Sequence, residues 1–134
     1  MQAWKKRMLM IPTQIKPSPI NGLGIFTILP IPKGTVVWRY CEPVDYRLEE
    51  VSDEIRDFIR KYAYVPKGKK YFEVPGDGAL FMNHSNEPNV ICRKNDDDDV
   101  VAARDIAAGE ELTSNYFEFD ENPESGGKLN NPKF

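Results

Sequence analysis

The sequence predicts a mainly β domain with one short helix. Three observations carry that prediction. Residues with β preference gather into runs of four to six, at Met8–Ile11, Gly24–Leu29, Thr35–Tyr40, Tyr71–Val74, Asn89–Arg93, Val100–Arg104 and Glu111–Asn115. Eleven prolines and nine glycines punctuate the 134 residues, which leaves little room for long helices. A single segment shows helical periodicity.

Along the chain, the first β run, Met8–Ile11, follows the basic Lys5-Lys6-Arg7. Next comes Ser18-Pro19-Ile20-Asn21-Gly22-Leu23-Gly24-Ile25-Phe26. A Gly-x-Gly before a β run serves either a plain hairpin or a close approach of backbone to a ligand. It lacks the third glycine and following helix of a dinucleotide fingerprint. Two further segments are alike, Ile31-Pro32-Lys33-Gly34-Thr35-Val36 and Ile106-Ala107-Ala108-Gly109-Glu110-Glu111. Two copies are too few for a repeat architecture, so they predict two similar strand connections.

The helix is predicted over Asp53–Tyr62. Ser52 caps it, and Asp53 and Glu54 suit the positive end of its dipole. Ile55, Phe58, Ile59 and Tyr62 form its apolar face, with Arg56, Asp57, Arg60 and Lys61 turned away. The aspartate run Asp96–Asp99 lacks the spacing of a calcium loop and predicts a solvated hairpin tip. Glu121–Phe134, with two Asn-Pro pairs, reads as a mobile tail.

Composition bounds the function. Forty per cent apolar and 29% charged residues are ordinary for one globular domain. The net charge of −3 argues against a binder of phosphate backbones. Two cysteines, Cys41 and Cys92, and one histidine cannot supply a four-ligand cysteine/histidine zinc site. A Ser/His/Asp triad would have to use His84 as its base. No apolar run approaches the roughly 20 residues of a membrane span or the roughly 7–15 of a signal peptide. An intracellular protein is therefore expected, cytoplasmic, or nuclear if eukaryotic.

Three segments have unusual polarity for a β domain. Phe81-Met82-Asn83-His84-Ser85-Asn86-Glu87-Pro88-Asn89-Val90 sets polar groups beside apolar ones; a turn with a surface histidine is the plainer alternative. Glu110-Glu111-Leu112-Thr113-Ser114-Asn115-Tyr116-Phe117-Glu118-Phe119 runs from a strand into aromatics, which ordinary strand packing also explains. With Gly22-Leu23-Gly24, these segments resemble in order the motifs of the SET-domain protein-lysine methyltransferases. Asn83-His84-Ser85-x-x-Pro88-Asn89 looks like that family's most diagnostic motif, with Phe81 before it. Glu111-Leu112-x-x-Asn115-Tyr116 looks like its final Glu-Leu-x-x-Asp-Tyr motif. The resemblance extends from about Pro17 to Asp120, in the format of minimal stand-alone bacterial and viral members.

The resemblance implies several short curved sheets around a pseudoknot, in which Asn83–Asn89 threads through a loop near Glu111–Tyr116. It implies a single domain over 1–120, with a variable insert at about 42–66. It implies transfer of a methyl group from S-adenosylmethionine to a lysine of a protein substrate, without a metal. Tyr116 matches the catalytic tyrosine, acting by position and electrostatics. Gly22, Leu23, Gly24, Asn83, His84 and Tyr116 match cofactor-contacting positions. Tyr40, Phe117 and Phe119 are candidates for the substrate channel. No direct nucleic-acid or membrane partner is implied, and an oligomer is compatible with the sequence. The alternative is a catalytically silent domain of the same fold serving as an interaction module. Three departures stand out: Asn115 replaces the usual aspartate, Ser114 replaces a common aromatic, and no cysteine cluster follows the domain.

Overall fold

Short strands joined by tight turns build the chain. The structure, a computed structural model, describes residues 8–39, 45–46, 52–54, 62, 64, 68, 72–73, 78–93 and 99–120. Its strands are β1 (Met8–Leu9), β2 (Thr13–Pro17), β3 (Leu23–Thr27), β4 (Val36–Arg39), β5 (Asp45–Tyr46), β6 (Phe72–Glu73), β7 (Asn83–His84), β8 (Val90–Cys92), β9 (Val100–Ala102) and β10 (Thr113–Ser114). A 3-10 helix occupies Gly78–Phe81, and a one-turn helix, α1, occupies Tyr116–Phe119. Among the described residues no helix is long and apolar enough to cross a membrane.

The strands form one four-stranded antiparallel sheet, ordered β1-β4-β9-β8, and three two-stranded ones: β2-β3, β5-β6 and the parallel pair β7-β10. The core lies between the four-stranded sheet, β3 and the segments that lead into β7 and β10. Ile25 from β3, Val37 from β4, Val90 from β8 and Leu112 before β10 are fully buried there, with Ile31, Met82 and Ile106 around them. β3 does not alternate: Gly24, Ile25, Phe26 and Thr27 are all buried. Its edge away from β2 is paired too: Phe26 bridges Glu111, and the Leu112 N–H donates to Ile25 O. A strand enclosed on both sides reads as a continuous run.

The two similar turns face each other. Ile31 and Ile106 exchange both backbone hydrogen bonds, each 2.8 Å. The Gly34 N–H donates to Ala102 O at 2.9 Å, and the Gly109 N–H donates to Thr27 O at 2.8 Å. The Ala102 N–H donates to Thr35 O, and the Thr27 N–H to Glu110 O. Each bond has a counterpart at the equivalent offset in the other turn, so the pair is related by an approximate local two-fold. Gly34 (φ +85°) and Gly109 (φ +88°) hold matching left-handed positions, which is why each turn requires a glycine.

Three expectations fare differently. The mainly β architecture stands. Of the predicted helix, Asp53, Glu54 and Tyr62 are helical and the rest lies outside the described residues, as do Tyr40, Cys41, most of the segment 42–66 and residues 121–134. The aspartate run is not wholly solvated. Asp99 is fully buried, 3.3 Å from Arg39 Nε and 3.0 Å from Arg93 Nη2. A carboxylate taken out of water needs such partners, and the two arginines reach it from β4 and from the residue after β8.

Asn89 fastens the last motif to the sheet. Its Nδ2 donates to Glu111 O at 2.7 Å, and its Oδ1 accepts from the Thr113 N–H at 2.8 Å. One side chain thus substitutes for a strand neighbour on both sides of Leu112. Asn89→Ala is expected to lower the free energy of unfolding by about 2–4 kcal/mol, since it strands two backbone groups. Urea unfolding would show this as a lower midpoint with an unchanged slope.

Candidate functional site

The site forms where β7 lies parallel to β10. Asn83 pairs with Thr113 and His84 with Ser114, and the Ser85 N–H donates to Ser114 O at 3.0 Å. This crossing of two segments distant in sequence is the centre of the pseudoknot. It places α1 directly against the Met82–His84 segment. The Tyr116 N–H donates to His84 Nδ1 at 3.0 Å, and the Tyr116 hydroxyl donates to Met82 O at 2.6 Å. His84 Nε2 stands 3.0 Å from Asn86 Oδ1. A neutral imidazole carrying its hydrogen on Nε2 satisfies both of its contacts.

Tyr116 is buried, and burial pushes its phenol well above the ordinary range, helped by the negative charges of Asp120 and Glu111. The hydroxyl therefore stays protonated and is no proton acceptor at neutral pH. The raised folded value gives stability that is present below the ordinary phenol pKa of about 10 and is lost as pH rises above it. In an alkaline titration, the difference between wild type and Tyr116→Phe is expected to show no tyrosinate absorbance before the protein unfolds.

Asn83, also buried, has its amide nitrogen surrounded by oxygens. Nδ2 lies 2.8 Å from Glu111 Oε2, 3.1 Å from Ser18 Oγ, 3.0 Å from Asn21 O and 3.2 Å from Leu23 O. The Ser18 hydroxyl donates to the Glu111 carboxylate, 2.7 and 2.8 Å from its two oxygens, and accepts from the Ile20 N–H. Among the described residues Asn83 Oδ1 has no partner.

The glycine run acts here by absence of a side chain. A Cβ on Gly24 would collide with Glu111 Oε2 and lie 2.8 Å from Glu111 Cδ and 3.0 Å from Ser18 Cβ. Gly22 adopts φ +47°, turning the Asn21 and Leu23 carbonyls toward Asn83. Gly24→Ala is expected to cost about 1–3 kcal/mol by overpacking and to displace the Glu111 carboxylate. Thermal melting would report the first effect, and loss of ligand-induced stabilisation the second.

The aromatic residues divide. Phe119 stands edge-on to Tyr64 (centroids 5.0 Å apart) and to Tyr116 (6.0 Å), which makes a wall beside the tyrosine. Phe117 is 44% exposed and meets the His84 ring edge-on at 5.5 Å. Tyr40 lies outside the described residues. Asn115, in place of the expected aspartate, keeps the hydrogen bond that position supplies: its Oδ1 accepts from the Phe117 N–H at 3.0 Å and caps α1. At the far side, Glu118 accepts from the Cys92 N–H at 2.6 Å and ties α1 to β8.

Sequence reading missed Ser18, Glu111 and Met82 as members of this cluster. Glu111 lay within the recognised motif without an assigned task. Ser18 had only its place in a turn before the glycines. Met82 contributes a carbonyl, which no side-chain pattern reveals.

Fold and site together define a class: a family model, the SET domain, matches residues 22–117, and the chain belongs to the SET-domain family. It is 30% identical over 113 residues to a Plasmodium falciparum protein provisionally named histone-lysine N-methyltransferase 1, covering 76% of this chain and 2% of that one. It is 30% identical over 123 residues to the variant-silencing SET domain-containing protein of the same organism, covering 77% of this chain and 5% of the relative. The chain therefore spans a small fraction of these two proteins. To the Schizosaccharomyces pombe histone-lysine N-methyltransferase specific for H3 lysine-37 it is 28% identical over 110 residues, covering 78% of this chain and 73% of the relative. Among solved structures, the methyltransferase domain of human histone-lysine N-methyltransferase SETMAR aligns with a TM-score of 0.58 and 26% identity, over 81% of this chain and 45% of that one.

Proposed function

We propose that this chain is an S-adenosylmethionine-dependent protein-lysine methyltransferase. The observation that carries the reading is the double attachment of Tyr116, backbone and hydroxyl, to the Met82–His84 segment, next to an Asn83 amide whose oxygen has no partner among the described residues. The methyltransferase names of the relatives support it.

The residues present fit the cofactor. Asn83 Oδ1 suits its ammonium group. The Met82 carbonyl and the Tyr116 hydroxyl oxygen offer negative partial charge to an electron-poor methyl. The edge-on His84 and Phe117 rings suit a flat base. When bound, the cofactor supplies the electrophilic methyl group.

The chain's own residues do the rest. A lysine attacks only as the neutral amine, and losing its proton at pH 7 costs about 4–5 kcal/mol from an ordinary pKa of about 10.4. Phe119, Tyr116 and Tyr64 build an aromatic wall that disfavours the ammonium form and excludes water. Tyr116, held protonated by burial, orients the reacting groups without taking a proton.

The test is incubation of the protein with methyl-labelled S-adenosylmethionine and either core histones or a cell extract, alongside calorimetry with S-adenosylhomocysteine. Label recovered on lysine is expected. Binding without label in any protein would overturn the enzymatic reading in favour of a silent module, and absence of both would overturn the cofactor assignment.

A further inference from the structure

The hydrogen-bond inventory around Asn83 is one-sided. Four oxygens surround Nδ2, at 2.8 to 3.2 Å, and no donor does among the described residues. Turning the amide over would set Oδ1 against all four, so its orientation is fixed by chemistry. Two of the four are main-chain carbonyls. The other two are side-chain atoms, Ser18 Oγ and Glu111 Oε2, and these two are bonded to each other. Gly24 lacks a Cβ where the carboxylate sits, so the backbone is shaped to admit Glu111 at this place. Ser18 lies before the residues matched by the SET model.

A carboxylate beneath an amide N–H does more than hold it. Hydrogen bonds to a charged acceptor are stronger than neutral ones, and a chain of bonds polarises its members. Electron density pushed toward the far end of the amide makes Oδ1 a better acceptor. The carboxylate also places a negative charge one side chain behind Oδ1, in a partly buried setting where screening is weak.

We propose that Ser18 and Glu111 are positioning residues that fix and polarise the Asn83 amide, so that Oδ1 selects a cationic donor group on the ligand. This rests on the reading of Asn83 as a ligand-holding residue. Ser18 centres the carboxylate: its single hydroxyl is shared between both Glu111 oxygens while its own oxygen accepts from the Ile20 N–H and from Asn83. Glu111 supplies the charge. Neither residue touches the ligand.

The experiment compares two ligands by calorimetry on the whole chain. S-adenosylhomocysteine carries the ammonium group, and 5′-methylthioadenosine lacks the amino-acid portion. Asn83→Ala tests the underlying reading and is expected to weaken S-adenosylhomocysteine while sparing methylthioadenosine. Glu111→Gln keeps the shape and removes the charge. It is expected to weaken S-adenosylhomocysteine about fivefold or more, with methylthioadenosine changed less than about twofold. Ser18→Ala is expected to act in the same direction and more weakly, Ser18→Thr to restore binding, and the serine variants keep the test alive if Glu111→Gln does not fold. Equal losses for both ligands in the Glu111 and Ser18 variants, or no loss, would overturn the proposal if Asn83→Ala still discriminates between the ligands. If Asn83→Ala does not discriminate, the reading of Asn83 falls first and the proposal with it.

Discussion

Tyr116→Phe is expected to lose about 100-fold or more in methyl transfer while S-adenosylhomocysteine binds within about threefold of wild type. The substitution removes one oxygen. That oxygen donates to Met82 O at 2.6 Å and sits beside the crossing of β7 and β10. Deleting a single preorganised polar group aimed at a reacting centre commonly costs 10²–10³ in turnover, roughly 3–4 kcal/mol of barrier. The ring itself remains, along with its edge-on contact to Phe119 and the Tyr116 N–H bond to His84. The loss should therefore fall on kcat and leave KM almost unchanged, the signature of an interaction used in the transition state. Some instability accompanies it, because the hydrogen bond to Met82 O is lost, at about 1–2 kcal/mol. Single-turnover transfer with labelled cofactor, at a temperature where both proteins are folded, separates the two effects. Wild-type turnover in the variant would remove Tyr116 from the mechanism.

Asn83→Asp, although isosteric, is expected to be strongly damaging, costing about 3–5 kcal/mol of stability. It exchanges a nitrogen with two hydrogens for an oxygen with none, facing Glu111 Oε2 at 2.8 Å and three further oxygens. Two carboxylates at that separation cannot both stay charged. Asn83→Ala removes the same donor without adding a charge and should cost less, about 2–3 kcal/mol. The order of the two variants is diagnostic. If packing alone mattered, the isosteric aspartate would be the milder one. Acidification should narrow the gap, since a protonated carboxyl regains one hydrogen to donate. Denaturant titrations of both variants at neutral and mildly acidic pH would read this out.

Parts of this architecture were legible because they depend on local chemistry. The β runs follow side-chain preference. The shared Ile-x-x-Gly spacing marks the connections at Gly34 and Gly109 as alike. The order of Gly22–Gly24, Asn83–Asn89 and Glu111–Tyr116 pointed to their convergence, although nothing in the spacing gave the parallel register of Asn83 on Thr113. What stayed hidden depends on partners brought from elsewhere. Asp99 ends an acidic run that looks fully hydrated, until Arg39 and Arg93 arrive beside it. Tyr116–Phe119 has strand-forming residues, yet the cap and the Glu118 bond to Cys92 N–H wind it into a helical turn. Ser18 is indistinguishable from any turn serine before the fold closes Glu111 over it.

The reciprocal bonds between Ile31 and Ile106 bear on how the polypeptide is made. Each turn borrows its closing partners from the other, so the earlier one has nothing to lean on while the ribosome is still synthesising the later one. A nascent chain halted short of Glu110 would carry Ile25, Ile31 and Val37 uncovered, the kind of sticky surface that chaperones shield and proteases find. Closure of this core therefore waits for the distal turn to emerge, joining segments synthesised well apart.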